Sequence, residues 1–234
     1  MVFSVSKIQA FRQCKYKYRL SYIEKVEQER FGFFKRGSNV HKAFEDLVLD
    51  NEVVKKFLES EVGQRHYNTI LNSEKEVKIG LRVENGNIVP CEFSDPNAFF
   101  HGVIDVLFEN NILDYKTGRE KSFKDQDWTQ LMYYAVWLFL KRPELNEINI
   151  SYLYVEHNCE NALTLGRKYL NEILRKMLSN VIEITKYEEN PTEEHNCSWS
   201  CDYCGCRESC KFYKESRLEN IPFETIEMST DRTP

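Results

Sequence analysis

Ile112-Leu113-Asp114-Tyr115-Lys116-Thr117-Gly118 is the stretch on which the reading of this chain turns, together with Asp105 nine positions before Asp114. Phe99 to Phe108 and Ile112 to Thr117 alternate as two strands, joined at Glu109-Asn110-Asn111, where asparagine tolerates left-handed backbone angles. A turn centred between Asn110 and Asn111 sets Asp105 opposite Lys116 and Leu107 opposite Asp114. The side-chain period of two then puts Asp105, Asp114 and Lys116 on one face. Two carboxylates and an ammonium at one spot can bind a divalent cation, hold a phosphodiester beside it and polarise an attacking water. Spacing alone favours the plainer reading, an ion pair on a solvated sheet face. The apolar neighbours Leu107, Ile112 and Leu113 reverse that preference, because carboxylates in such surroundings are expensive unless a cation neutralises them. A hard cation such as magnesium or manganese suits oxygen ligands.

Outward from this pair, residues 74 to 108 hold short β-branched and aromatic runs broken at Asn85-Gly86-Asn87 and Asp95-Pro96-Asn97, the start of a mainly antiparallel sheet. Residues 123 to 141 predict a helix that buries Trp128, Leu131, Met132, Ala135, Leu138 and Phe139 and ends at Pro143, with Gln130 and Tyr134 on its other side. A strand over 147 to 155 and an amphipathic helix over 167 to 186 follow. On the N-terminal side, residues 6 to 24 predict a basic, aromatic helix. A longer helix begins after Gly37 and carries Val40, Phe44, Val54 and Phe57 on its apolar stripe, with His41 and Glu45 four apart at the stripe's edge.

With 234 residues and 41% apolar content the chain can bury a substantial core, as one domain with appendages or two small lobes. No stretch reaches the roughly 18 apolar residues of a membrane helix and no signal-peptide layout opens the chain, so the expectation is a soluble intracellular protein without a membrane partner. The net charge of −5 is unevenly spread: residues 1 to 42 hold ten Lys or Arg against three Asp or Glu, a local +7, and the remainder carries −12. The N-terminal segment, with Lys15, Lys17, Arg19, Lys35 and Arg36, is therefore the natural place for a phosphate backbone, or else a solvated amphipathic helix. Tyr16, Tyr18 and Tyr22 beside it fit base stacking and core packing equally well.

Five of the eight cysteines fall at Cys197, Cys201, Cys204, Cys206 and Cys210; Cys14 lies far upstream, and Cys91 and Cys159 stand alone. A reducing compartment makes a disulfide framework a poor reading and the clustering points to metal ligation, whereas Cys91 and Cys159 read as core packing.

Four motifs now stand in order: Gly37-x3-His41-x3-Glu45, Gly102-x2-Asp105, Asp114-Tyr115-Lys116-Thr117-Gly118 and Gln130-x3-Tyr134. From Ser4 to Cys210 the chain resembles a RecB-type nuclease of the PD-(D/E)xK superfamily. The resemblance implies an α/β fold, a mixed central sheet flanked by helices. It implies that His41, Asp105, Asp114 and the Tyr115 carbonyl ligate Mg2+ or Mn2+, that Lys116 positions or activates the water and stabilises charge at phosphorus, and that Gln130 and Tyr134 orient the site and the DNA strand. Ile104 stands where the superfamily name places proline.

Cys201-x2-Cys204-x5-Cys210 with the upstream Cys14 resembles the staple of AddB-type and CRISPR-adaptation nucleases, in which four thiolates hold a 4Fe-4S cluster. Zinc on four thiolates is the alternative, and Cys197 or Cys206 could replace one of the four ligands. Lys15 stands where such relatives often carry proline. The implied organisation is a basic segment over 1–36 contributing to an iron–sulfur lobe, a nuclease core over 37–190 and a cysteine-rich part over 191–234. The implied activity is a metal-dependent DNA exonuclease working on single-stranded ends in repair, recombination or phage DNA processing, in the cytoplasm of a bacterial, archaeal or phage-infected cell. A helicase or integrase is an implied partner. The rival readings are a CRISPR-adaptation nuclease that trims DNA before integration and an inert iron–sulfur DNA-binding module.

Overall fold

The structure is a computed structural model, and the residues it describes are 2–29, 32–196 and 198–218. Its helices are α1 (Val5–Gln13), α2 (Lys15–Tyr18), α3 (Gly32–Glu45), α4 (Glu52–Glu59), α5 (Glu61–Asn72), α6 (Thr129–Lys141), α7 (Leu170–Glu189) and α8 (Lys211–Leu218). Its strands are β1 (Glu74–Glu84), β2 (Asn87–Cys91), β3 (Ala98–Phe108), β4 (Asn111–Lys116), β5 (Glu147–Tyr154) and β6 (Cys159–Gly166). The described residues divide into two compact units, 2–8 with 32–185 and 9–29 with 186–218. None of the helices is long and apolar enough to cross a membrane.

The first unit is an α/β fold built on a six-stranded mixed sheet in the order β2-β1-β3-β4-β5-β6. Every neighbouring pair is antiparallel except β4 and β5, whose parallel register runs from Asn111–Asn149 to Lys116–Tyr154. Parallel strands require a crossover, and α6 supplies it. On one face Val40, Phe44, Val54, Phe57 and Ile70 from α3, α4 and α5 pack against Val106, Leu113, Tyr115 and Leu153. The alternation along β4 turns Asp114 to the opposite face, which α6 covers with Leu131, Ala135, Leu138 and Phe139 buried. Asn85-Gly86 makes the expected two-residue hairpin, with both residues at positive φ.

Several boundaries depart from the sequence reading. Gly37 lies inside α3, which ends at Glu45; Leu47 then takes φ +51, and Asn51 caps a separate α4 by accepting from the Val53 and Val54 amides. The helix expected over 6–24 breaks at Cys14, which is extended and caps α2 through its sulfur, and α2 runs into a π-helical turn over Arg19–Ile23. The stretch before α6 is a short 3-10 turn, Phe123–Asp125. β6 was not anticipated, because Cys-Glu-Asn-Ala-Leu-Thr-Leu-Gly presents mostly half-exposed side chains and little β-branching.

The decisive hairpin also differs. Phe108 pairs with Asn111, Leu107 with Ile112 and Val106 with Leu113, so the turn is Glu109-Asn110 and its left-handed residue is Glu109, φ +53. Asp105 therefore does not face Lys116, nor Leu107 Asp114. The register has slipped by two residues, an even shift that leaves the period-two alternation of the paired residues unchanged and, continued past the last pair, would bring Asp105 level with Asp114.

Candidate active site

β3 and β4 part company immediately beyond the Val106–Leu113 pair. The next hydrogen-bonded rung of such a ladder would join Ile104 to Tyr115. Instead the Tyr115 amide donates to Asp105 Oδ2 at 2.9 Å, so the carboxylate fills the fork between the strands. From α3, His41 brings Nδ1 to 3.2 Å from the same oxygen. Burial works to lower the His41 pKa, but the hydrogen bond and charge of Asp105 outweigh it and hold the imidazole above its ordinary value.

Asp114 is buried behind this fork. Its Oδ2 lies 2.6 Å from Lys116 Nζ and its Oδ1 accepts from Gln130 Nε2 at 2.6 Å. Gln130 closes the ring, accepting from Lys116 Nζ at 3.2 Å and donating to Tyr134 Oη at 3.3 Å. Burial first, then the Asp105 charge, pushes the Asp114 carboxyl up to about 7. Lys116 also lies over the ring of Tyr152, 4.9 Å from its centroid. The glycine of the second motif is dictated by packing: a Cβ on Gly102 would fall 2.6 Å from Tyr134 Cε1. Thus His41, Asp105, Asp114, Lys116, Gln130 and Tyr134, scattered over 94 positions, converge on one fork.

The donor set of two carboxylates and an imidazole matches a hard divalent cation, which would offset the burial and the Asp105 charge that raise Asp114. Among the described residues, no three His, Cys, Asp or Glu side chains form a finished metal cage, the Asp114 oxygens being turned to Lys116 and Gln130.

One residue at this fork escaped the sequence reading. Lys75 pairs with Val106 and Val77 with Ile104, so Glu76 falls opposite Asp105, and it does so with φ +49 in mid-strand. Such a backbone is strained for a side chain of this kind. Glu76 lines an open pocket with His41, Lys42, Glu45 and Asp105, and burial together with the Asp105 charge raises its pKa. Nothing in Lys75-Glu76-Val77 distinguishes it from an ordinary edge alternation.

In the second unit Cys14, Cys201, Cys204, Cys206 and Cys210 line one cavity; Cys197 lies outside the described residues. Cys14, Cys204 and Cys210 pack around Tyr16, Leu20 and the buried Cys206, whose Sγ is 3.1 Å from Ser21 Oγ. A hydrogen bond from Cys206 holds the Cys204 thiol below its usual range, toward the thiolate that binds metals. Cys201 Sγ instead accepts from the Ser198 amide at 3.4 Å. Cys91 and Cys159 are not core residues: both are half-exposed, and Cys159 sits 2.9 Å from Glu120 on the edge strand.

The basic residues are largely engaged within their own units. Lys15 pairs with Glu194 at 2.9 Å, Lys17 donates to Gln13 at 2.8 Å, Arg19 pairs with Glu24 at 2.6 Å and Arg36 with Glu156 at 3.0 Å, while Lys35 is exposed. Tyr16 and Tyr18 are buried and so pack the core rather than a base.

A mixed sheet whose central strands fork around paired carboxylates, a lysine and a glutamine defines a nuclease-type α/β protein. The chain belongs to the PD-(D/E)XK nuclease superfamily, whose family profile matches residues 2–211. Nucleases of this superfamily generally act on DNA with divalent cations such as Mg2+ or Mn2+. A protein from Eubacterium rectale named "Putative exonuclease" has a similar crystal structure, with TM-score 0.58 and 15% identity over 99% of this chain and 94% of that one. The crystal structure of SSO0001 aligns with TM-score 0.47 and 16% identity over 90% of this chain and 86% of that one. No curated protein sequence matches the chain.

Proposed function

We propose that this protein is a RecB-like, metal-dependent DNA exonuclease acting on single-stranded ends. The observation that carries the reading is the fork itself: the strands part beyond the Val106–Leu113 pair, Asp105 accepts there from the Tyr115 amide with His41 at 3.2 Å, and Lys116 is held at 2.6 Å from Asp114. Mg2+ or Mn2+ held by His41, Asp105 and Asp114, with the Tyr115 carbonyl as a further ligand, would supply Lewis-acid chemistry at phosphorus. Lys116 is held between Asp114, the Gln130 amide oxygen and the Tyr152 ring, and would meet the negative charge that develops on the phosphate. Gln130 and Tyr134 fix the lysine and carboxylate relative to each other. In the second unit Cys14, Cys201, Cys204 and Cys210 would hold a 4Fe-4S cluster as a structural staple; their common cavity and lack of disulfides support that assignment over isolated thiols.

The test is a time course on end-labelled single-stranded and duplex DNA with Mg2+, Mn2+ or EDTA, beside Lys116→Ala. Metal-dependent shortening from one end, absent in the variant, is expected. A variant that cuts at the parental rate overturns the mechanism.

A further inference from the structure

The loop that joins the lysine strand to the glutamine helix, residues 117–128, has no role in the chemistry above. It is nevertheless built with care. Tyr154 Oη donates to Gln126 Oε1 at 2.6 Å, Tyr152 Oη donates to the Asp127 carbonyl at 3.1 Å, and Asn161 Nδ2 donates to the Lys121 carbonyl at 2.9 Å and to Gln126 Oε1 at 3.1 Å. These bonds fasten the loop to β5 and β6. At its tip Ser122 caps the 3-10 turn that presents Phe123, a residue 52% exposed.

Phe123 is not a stray surface apolar residue. Its ring centroid lies 5.4 Å from that of Trp128, Trp128 lies 5.6 Å from Tyr152, and the Tyr152 ring sits beneath Lys116 Nζ. A row of aromatic rings therefore runs from the lysine at the fork out to an exposed face. Arg119, Lys121 and Lys124 are neighbours of Phe123 in the same loop, all exposed, and among the described residues none of the three has an ion-pair partner. The loop's three acids are occupied internally: Glu120 by the Cys159 thiol at 2.9 Å, Asp125 by the Ser122 hydroxyl at 2.6 Å, and Asp127 by the Thr129 amide at 2.9 Å.

We infer that Phe123 is a stacking platform for a base of a single-stranded DNA substrate, with Arg119, Lys121 and Lys124 taking the phosphates on either side of that base. The inference rests on the nuclease reading of the fork and adds where the strand lies. A rigid half-exposed ring beside unpaired cations is the arrangement by which single strands are held without sequence preference, since every base has a face to stack. A base inside a duplex has both faces covered, so the platform selects unpaired DNA. The loop carries as many acids as bases, so stacking rather than long-range attraction supplies the binding.

The test is fluorescence anisotropy of a labelled single-stranded oligonucleotide in EDTA, where no cleavage occurs, using the full chain, Phe123→Ala and Phe123→Trp. Phe123→Ala is expected to weaken binding about tenfold while leaving the salt slope unchanged. Phe123→Trp restores binding, and a strand of abasic sugars binds the parental protein and Phe123→Ala equally. Lys121→Ala or Arg119→Ala, by contrast, should flatten the salt slope by about 0.7 each. Equal binding of the parental protein and Phe123→Ala to the normal strand overturns the platform, as does a Phe123→Ala deficit that persists on abasic DNA. If in either case the parental protein still cuts single strands with Mg2+, the nuclease reading stands alone. A chain that neither binds nor cuts DNA overturns both.

Discussion

Gly102→Ala is a one-carbon change with a calculable consequence. The added Cβ would lie 2.6 Å from Tyr134 Cε1 and 3.2 Å from both Cδ1 and Cγ1 of Ile79. Carbon pairs are comfortable at about 3.5–4.0 Å, so the ring must retreat by roughly 1 Å. Tyr134 is only 5% exposed and Ile79 is fully buried, so neither can swing into solvent. Overpacking of this kind costs about 1–3 kcal/mol. The displacement does not stop at the ring: Tyr134 Oη holds Gln130 Nε2, which holds Asp114, and Gln130 Oε1 holds Lys116. A shift of about 1 Å in a positioned group can lower a rate about 100-fold. Urea unfolding followed by tryptophan fluorescence, together with initial cleavage rates, measures both effects. The double variant with Tyr134→Ala is the control, because removing the ring removes the clash. Its stability loss should be smaller than the two single losses added together. A Gly102→Ala protein within about 0.5 kcal/mol of the parent, or strict additivity in the double variant, refutes the reasoning.

Two further outcomes follow from the site geometry. Burial and the Asp105 charge push Asp114 up to about 7, against ~3.9 for an unfolded aspartate. The folded state thus retains a proton that the unfolded state has released, and in EDTA stability should fall as pH rises from about 4 through about 7. Asp114→Asn should lose that component of the slope and Mn2+ should shrink it, whereas identical urea profiles for parent and variant would contradict the assignment. In the second unit, Cys14→Ser, Cys204→Ser or Cys210→Ser should strip iron and visible absorbance from anaerobically purified protein, while Cys91→Ser and Cys159→Ser leave both intact. Iron retained by all three of the former would exclude the cluster.

The hairpin around Glu109-Asn110 shows what kind of error a sequence can absorb. Asparagine seemed the natural left-handed residue, yet the structure puts that conformation on Glu109, and the register moves by two. Because the strand period is two, that slip does not by itself change which face a side chain occupies, so Asp114 and Lys116 still share one and Asp105 still arrives at the fork beside them. A slip of one would have buried Lys116 among the residues that pack under α3. Periodicity therefore made the composition of the fork legible before its pairings were. Helix limits were less readable where a cap rather than the apolar pattern decides them, as at Asn51, which starts α4 afresh within a run of residues that would otherwise read as one continuous helix.

What stayed hidden was the residue whose position depends on backbone strain. Glu76 lines the pocket beside His41 and Asp105 with φ +49, and a Lys-Glu-Val triplet carries no sign that its centre will adopt it. The same holds for Phe123, an apolar residue in a charged loop whose meaning lies in the two rings behind it, 5 and 29 positions downstream. Motif spacing could single out the groups proposed to act on phosphorus, because that chemistry restricts which residue types serve. It could not identify the surface that receives the strand, because any exposed ring and any three cations would do, and only the fold decides which of them stand beside the lysine.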